Sequence, residues 1–351
     1  MRVVVTGASG NAGTSLLRAL AADSQVQEIV GIARRRPQWD NPRTQWVEAD
    51  VARDPLEPLF AGADTVVHLA WLIQPSRDER VLYDVNVTGS RRVFEAAAAA
   101  GAGALVHASS IGVYSPGPKD RHVDESWPTD GIETSFYSRH KVAAERALDE
   151  VERAAPALRV VRLRPALKFK REAAAEIRRL FIGPFLPSPL VRPGLIPVVP
   201  SHPRLRVQAV HTDDAGEAYR LAATEAHARG AYNIAAEPDL DPDRLAELLG
   251  ARKVPIHAGA LRALVSATWK LRLQPTPPGW LDMGLGVPLL DTRRAREELG
   301  WTPRHTATEA FMELLTGLQH EDGFPTPPLD PGTSGPLRVR ELATGVGAVN
   351  P

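Results

Sequence analysis

Tyr137 and Lys141 are the residues with the plainest chemical potential, in the stretch FYSRHKVAAERAL at residues 136–148. Ser135 or Thr134 can cap a helix there, and good helix formers follow. Four residues apart on a helix, a phenol and an ammonium lie on one face, one turn from each other. A free phenol titrates at about pH 10, and a neighbouring ammonium favours its ionised form, so the pair is suited to proton transfer. A solvated surface pair is the alternative use of the same spacing.

A second group sits at the start of the chain. VVVTGASGNAG places Gly7, Gly10 and Gly13 after an apolar run and at the mouth of a helix. In this context Gly7 permits a tight turn, Gly10 lets backbone approach a pyrophosphate, and Gly13 lets helix and strand pack closely. The helix N-terminus then offers unpaired N–H groups and a favourable dipole, which points to a dinucleotide held by the turn, with Ser9, Asn11 and Ala12 also lining it. Cofactor type follows from the end of the next strand, GIARRRP. Ala33 stands about where an acid would take the ribose hydroxyls of NAD, and Arg34, Arg35 and Arg36 follow. A guanidinium can hold a 2′-phosphate bidentately, so NADP is the expected cofactor, with NAD as the alternative. The competing reading is a basic surface loop. Asp50, followed by Val51 in EADVARD, is placed to meet the adenine amino group or to cap a turn.

These groups need a scaffold, and the pattern supplies one. Apolar, β-branched runs at residues 3–5, 28–32, 65–69, 104–108 and 159–163 alternate with helical stretches at 14–22, 93–100 and 136–148. That alternation predicts a doubly wound parallel sheet of the α/β class, covered on both faces. Residues 207–210 and 232–234 look like strands returning to the sheet, and residues 238–318 are largely helical. The proline-rich stretch at 181–203 lacks a clean period and suits either a pocket wall or a wandering connection. The expected division is a dinucleotide-binding domain at 1–165, rejoined by 206–236, a smaller substrate-binding region at 166–205 and 237–318, and a poorly ordered tail at 319–351.

Composition limits the partners. The 351 residues carry 42 Lys and Arg against 42 Asp and Glu, so no net field recruits nucleic acid or an anionic membrane. There is no cysteine, which removes disulfides and thiolate chemistry. No apolar run reaches the roughly 18 residues of a membrane span, and the N-terminus has no signal-like pattern, so a soluble cytoplasmic protein acting on a small molecule is expected.

Taken in order, TGASGNAG, EADV, HLA at residues 68–70, NVTGS at 86–90, SSIGVY at 109–114, YSRHK at 137–141, Arg164–Pro165, VHTDD at 210–214 and LGWTPR at 299–304 form a specific series. Through them the chain resembles the extended short-chain dehydrogenase/reductase family, also described as NAD-dependent epimerase/dehydratase proteins, over about residues 1–318. The resemblance implies a Rossmann domain in which Tyr137 is the general acid or base and Lys141 holds the nicotinamide ribose and lowers the tyrosine pKa. It implies that Ser110, with Ser109 as the neighbouring alternative, binds the substrate oxygen. Asn86 matches an asparagine that supports the lysine and a water relay; a buried, satisfied Asn is the rival reading. Leu69 and Ala70 would line the adenine and pyrophosphate side, and Trp71 and Tyr114 the substrate side. A homodimer through the helices near 85–100 and 137–151 is also implied.

Departures from the family narrow the reaction. Sugar-nucleotide dehydratases carry an acid pair where this chain has Ile111 and Gly112, and epimerases show an Asn that LRPALKFKRE lacks. The remaining expectation is an NADP(H)-dependent oxidoreductase interconverting a secondary alcohol and a ketone, with an apolar substrate suggested by WLIQP at 71–75. The alternatives are a sugar-nucleotide epimerase with tightly bound NAD and a non-catalytic NADP(H)-binding regulator. Lys168, Lys170 and Arg171 suit solvated helix ends or a phosphorylated substrate. His68 and His107 suit packing, and Asp213 and Asp214 suit helix capping. His202 and His211 lack a carboxylate partner at ligand spacing, so no metal is expected.

Overall fold

The computed structural model describes residues 1–73, 78–183, 185 and 188–334. The first strands are β1 (Arg2–Thr6), β2 (Glu28–Ala33), β3 (Thr44–Glu48), β4 (Thr65–His68), β5 (Ala104–Ala108) and β6 (His122–Val123). They are followed by β7 (Arg159–Pro165), β8 (Leu167–Phe169), β9 (Val198–Ser201), β10 (Val207–His211) and β11 (Gly230–Ile234), and then by β12 (Ala236–Leu240), β13 (Arg252–Pro255) and β14 (Leu289–Leu290). A seven-stranded sheet runs in the order β11-β7-β5-β4-β1-β2-β3, with every pairing parallel.

Every residue of β4, β5 and β7 is buried, as a sheet covered on both faces requires. On one face the helices Asn11–Ala22 and Thr212–Thr224 bring Leu16, Leu17, Leu20, Ala218 and Tyr219 against Val3, Val5 and Val106. On the other, Ser90–Ala99 and Phe136–Ala154 bring Val93, Phe94, Leu148 and Val151 against Val4, Val66 and Leu105. The strand order reverses between β1 and β4, and the crevice at the carboxyl ends of these strands is where such sheets take ligands.

The return to the sheet is partial. β11 pairs with β7 and forms its edge, but β10 leaves it, pairing parallel with β8 and antiparallel with β12 in a separate three-stranded sheet. β7 already has β5 and β11 as neighbours, so β7 itself has no side left for β10. The C-terminal region is mostly helical, with β12, β13 and β14 interspersed. The tail expected to lack structure from residue 319 is ordered as far as 334. Leu329 and Thr326 are buried, and Phe324 stands edge-on to Trp39 at 5.0 Å with the Arg18 guanidinium 4.8 Å from its ring. Residues 335–351 lie outside the described residues. Among the described residues no helix is long and apolar enough to cross a membrane.

Candidate active site

At the first turn, Gly7 adopts a positive φ of 72°, and a Cβ there would stand 2.5 Å from the Ala70 nitrogen. A Cβ on Gly13 would stand 2.4 Å from the Ala8 carbonyl oxygen. Both glycines are demanded by the protein's own packing. Gly10 is different: a Cβ would meet only the Gly7 carbonyl oxygen at 3.4 Å, an ordinary contact, so the bare backbone leaves room for a ligand. The helix that follows has no capping side chain and no acid in its first turn, and Asn11 Oδ1 is buried without a partner. Uncapped N–H groups and open space at Gly10 fit the phosphates of a dinucleotide. Ser9 is buried in this turn, and Ala12 packs against the core beneath it.

Arg34 and Arg35 follow β2 with exposed side chains, and Arg34 lies within electrostatic reach of Asp50. The Arg36 N–H donates to Glu48 Oε1 at 2.8 Å. Asp50 caps its own turn, accepting from the Ala52 N–H at 2.9 Å, and Val51 is buried in the core. Leu69 is tied to β1 through its N–H to the Thr6 carbonyl at 3.0 Å, with Ala70 beside Gly7.

The catalytic candidates meet at the carboxyl end of β5. Ser135 accepts from the Ser138 N–H and starts the helix that carries Tyr137 and Lys141. Ser110 caps the short turn Ile111–Val113, its Oγ accepting from the Gly112 N–H at 3.1 Å, and its hydroxyl lies near enough to the Tyr137 phenol to favour the ionised form. Burial pushes the Tyr137 phenol up to about 12, with the Ser110 hydroxyl opposing. Lys141 is buried, and its Nζ donates to the Ala108 carbonyl at 2.6 Å. The same Nζ lies 3.3 Å from the centroid of the Trp71 ring and 5.8 Å from that of Tyr137. Burial and then the charge of Lys168 hold Lys141 well below the usual lysine range, while Glu145 pulls the other way.

Aromatic walls enclose Tyr137. Trp71 stands edge-on at 6.1 Å, and Trp280, from the helix Gly279–Gly286, leans over the phenol ring at 4.8 Å. Phe181 backs Trp280 at 5.0 Å. A Cβ on Gly112 would come within 3.1 Å of both the Tyr137 ring and Met283 Sδ, so no acid can stand at that position without displacing them. Trp280 escaped the sequence reading because it belongs to no motif, and only the chain's return brings it to Tyr137, whereas Phe181 opens the proline-rich stretch read as a possible pocket wall.

Some expected site residues are engaged elsewhere. Tyr114, expected on the substrate side, is fully buried: its hydroxyl donates to Asn233 Oδ1 at 2.7 Å and accepts from Arg164 at 3.1 Å. That commitment removes it from the substrate-facing set. Asn86 does not meet Lys141; its amide clasps the backbone of Leu72, donating to the carbonyl at 2.8 Å and accepting from the N–H at 2.7 Å. The clasp fixes the segment that carries Trp71, whose continuation through Gln74 and Pro75 lies outside the described residues. Ser109 donates to Glu145, which forms a buried pair with Arg164.

His68 bridges Thr6 and Ser90 at 2.7 and 2.8 Å, and burial lowers it to about 3. His107 is buried with both ring nitrogens unpartnered, and burial holds it well below its usual value. The Arg204 N–H donates to His202 Nδ1. His211 at the end of β10, His305 in a loop and Glu313 in the helix that follows it place donor atoms within 4.8 Å of one another, which sequence spacing did not show. His211 Nδ1 accepts from the Asp213 N–H and caps a helix, and His305 bonds Asp214. Asp213 accepts from Ser15. Lys170, expected at a solvated helix end, is instead buried at the glycine turn, its Nζ donating to Thr14 Oγ1 at 2.7 Å, Ser15 Oγ at 3.1 Å and the Asn11 carbonyl at 3.2 Å.

Comparison with known proteins agrees with this architecture. An uncharacterized protein of Mycobacterium tuberculosis (strain ATCC 25618 / H37Rv) is 29% identical over 327 residues, which cover 92% of this chain but only 31% of that protein's length. The L-arabinose 1-dehydrogenase (NAD(P)(+)) of Haloferax volcanii is 40% identical over 114 residues, 32% of this chain and 42% of that one. The UDP-glucose 4-epimerase of Thermus thermophilus, solved in complex with NAD, shares the fold at a TM-score of 0.66 and 21% identity, over 91% of this chain and 99% of that one. The sequence model of the NAD dependent epimerase/dehydratase family matches residues 3–235, from β1 to the strand that closes the sheet's far edge. With that match over most of the chain, the protein belongs to the NAD-dependent epimerase/dehydratase family.

Proposed function

We propose that the protein is an NADP(H)-dependent oxidoreductase interconverting a secondary alcohol and a ketone. One observation carries this reading: Ser110, Tyr137 and Lys141 converge at the end of β5, beside a glycine turn suited to a dinucleotide, while Ile111 and Gly112 stand where water elimination would need an acid. Bound NADP(H) supplies the hydride or accepts it. Ser110 orients the substrate oxygen through its hydroxyl. Tyr137 gives that oxygen a proton in reduction and removes one in oxidation. Because burial raises the phenol to about 12, Tyr137 holds its proton at neutral pH and is prepared for ketone reduction. Oxidation requires the proton to leave first, so its rate rises with pH while the reduction rate stays nearly flat. Lys141, packed against the Trp71 face, is the group that, when it carries its proton, stabilises the phenolate. Trp71, Trp280 and Phe181 suit a substrate with an apolar or planar face. Exposed Arg34 and Arg35 support the preference for a 2′-phosphate.

The fold shared with a UDP-glucose 4-epimerase favours a second reading, an epimerase that retains NAD. Mass spectrometry of the nucleotide released by denaturing purified protein separates the two. NADP(H), or protein that exchanges its nucleotide freely, supports the oxidoreductase; one NAD(H) held per chain overturns it.

A further inference from the structure

Lys168 is half-buried and makes no hydrogen bond or ion pair among the described residues. It lies on β8 in register with Val210 of β10. Side chains alternate along a strand, so Leu167 and Phe169 take one side and Lys168 and Lys170 the other. Leu167 is exposed, and Phe169 packs near Phe311 at 6.3 Å. The opposite side faces the cleft: Ala166, of the same parity, lies in the cluster against which Tyr137 and Trp280 pack, and Lys170 reaches from that side to Asn11 and Thr14 at the start of the first helix. The two lysines differ in how they are satisfied. Lys170 has three hydrogen bonds and the Glu172 carboxylate at 3.5 Å. Among the described residues the Lys168 ammonium makes no hydrogen bond and no ion pair.

Its surroundings ask for a negative charge. Lys141 lies within electrostatic reach of it, and a charge on either lysine disfavours one on the other. Glu145 is taken up by Arg164 and Ser109. Glu176 is the acid within electrostatic reach, yet it forms no direct bond to Lys168, and burial raises its own carboxyl towards the neutral form. A half-buried ammonium with no hydrogen bond or ion pair among the described residues, within electrostatic reach of a second lysine, is suited to an anion that enters with the ligand.

We propose that Lys168 is the cation of an anion subsite in the catalytic cleft, which takes a phosphate or carboxylate group presented beside Tyr137 and Lys141. The proposal rests on the oxidoreductase reading for its meaning in catalysis and adds a substrate class to it: a ketone or alcohol bearing an anionic group against an aromatic wall. The same chemistry can come from the dinucleotide's own phosphates, and the test separates the sources.

Calorimetric titrations of the full chain, with NADPH alone and with sodium phosphate at saturating NADPH, would compare the unchanged protein with Lys168→Met and Lys168→Arg. If the anion belongs to the substrate, phosphate binds the NADPH complex, weakens about tenfold or more in Lys168→Met, and recovers in Lys168→Arg, with NADPH affinity unaltered. If it belongs to the dinucleotide, NADPH itself weakens about tenfold in Lys168→Met and phosphate competes with it. Unchanged affinity for both in a folded Lys168→Met protein overturns the subsite. Failure of the oxidoreductase reading looks different: the unchanged protein would bind phosphate in a Lys168-dependent manner while failing to bind NADPH.

Discussion

Two helices of similar length show how differently the two parts of the molecule are held. Asn11–Ala22, beneath the nucleotide turn, buries Gly13, Thr14, Ser15, Leu16, Leu17 and Leu20. It packs so closely on Thr212–Thr224 that a Cβ on Gly216 would stand 2.9 Å from the Ser15 backbone. Ala258–Lys270, in the C-terminal region, buries none of its residues and leaves Leu264 exposed. It is anchored by the Arg262–Asp282 pair at 2.8 Å and by Gln274 donating to the Val265 carbonyl at 3.2 Å. The nucleotide side has a single close-packed solution, whereas the C-terminal side reaches the site through a few aromatic and charged contacts. Such a division confines the common chemistry to the sheet and leaves the substrate to be chosen by residues that can change without unfolding it.

Changes on the two sides should therefore separate in kind. The largest loss is expected for Glu145→Leu, which strands the buried Arg164 guanidinium and should destabilise the fold by about 3–5 kcal/mol in urea titrations. A loss near zero would place that pair outside the structural core. Next, Arg34→Ala with Arg35→Ala should raise the NADPH dissociation constant about tenfold while leaving NADH binding nearly unaltered. Equal losses for both nucleotides would make these surface charges only. Trp71→Leu removes the aromatic face over Lys141, worth about 0.5–2 kcal/mol, and should slow turnover severalfold, with Trp71→Phe retaining most of it. Identical behaviour of the two variants would show that the ring face does not support the lysine. Smallest of all, Leu264→Ser should change the stability measured in urea by no more than about 0.5 kcal/mol; a larger loss would mean that the C-terminal helix is held as firmly as the first.

The same division explains what the amino-acid order disclosed. Parallel strands were legible because β1 and β4 are short β-branched runs and β5 a short apolar one between helices, and the glycine turn was legible because its spacing is local. Tyr137 and Lys141 announced themselves one helical turn apart. Hidden instead were the facts that depend on distant returns of the chain. β10 matches the main sheet in pattern but finds β7 already paired on both edges. Tyr114 lies in a motif beside Ser110, yet its fate is set by Asn233, 119 residues away. Trp280 reaches Tyr137 from a helix whose own pattern carries no sign of it. Proline-rich composition suggested a tail without structure, and Leu329 contradicts this by burying itself against a surface that only the folded chain offers.

The proton transfer assigned to Tyr137 is open to direct measurement. Tyr137→Phe keeps the ring between Trp71 and Trp280 and removes only the hydroxyl. Single-turnover ketone reduction with NADPH, measured beside NADPH binding by fluorescence titration, should show a rate lower by about 10²–10⁴-fold with cofactor affinity unaltered. A Tyr137→Phe protein that turned over at the unchanged rate would rule out Tyr137 as the proton donor.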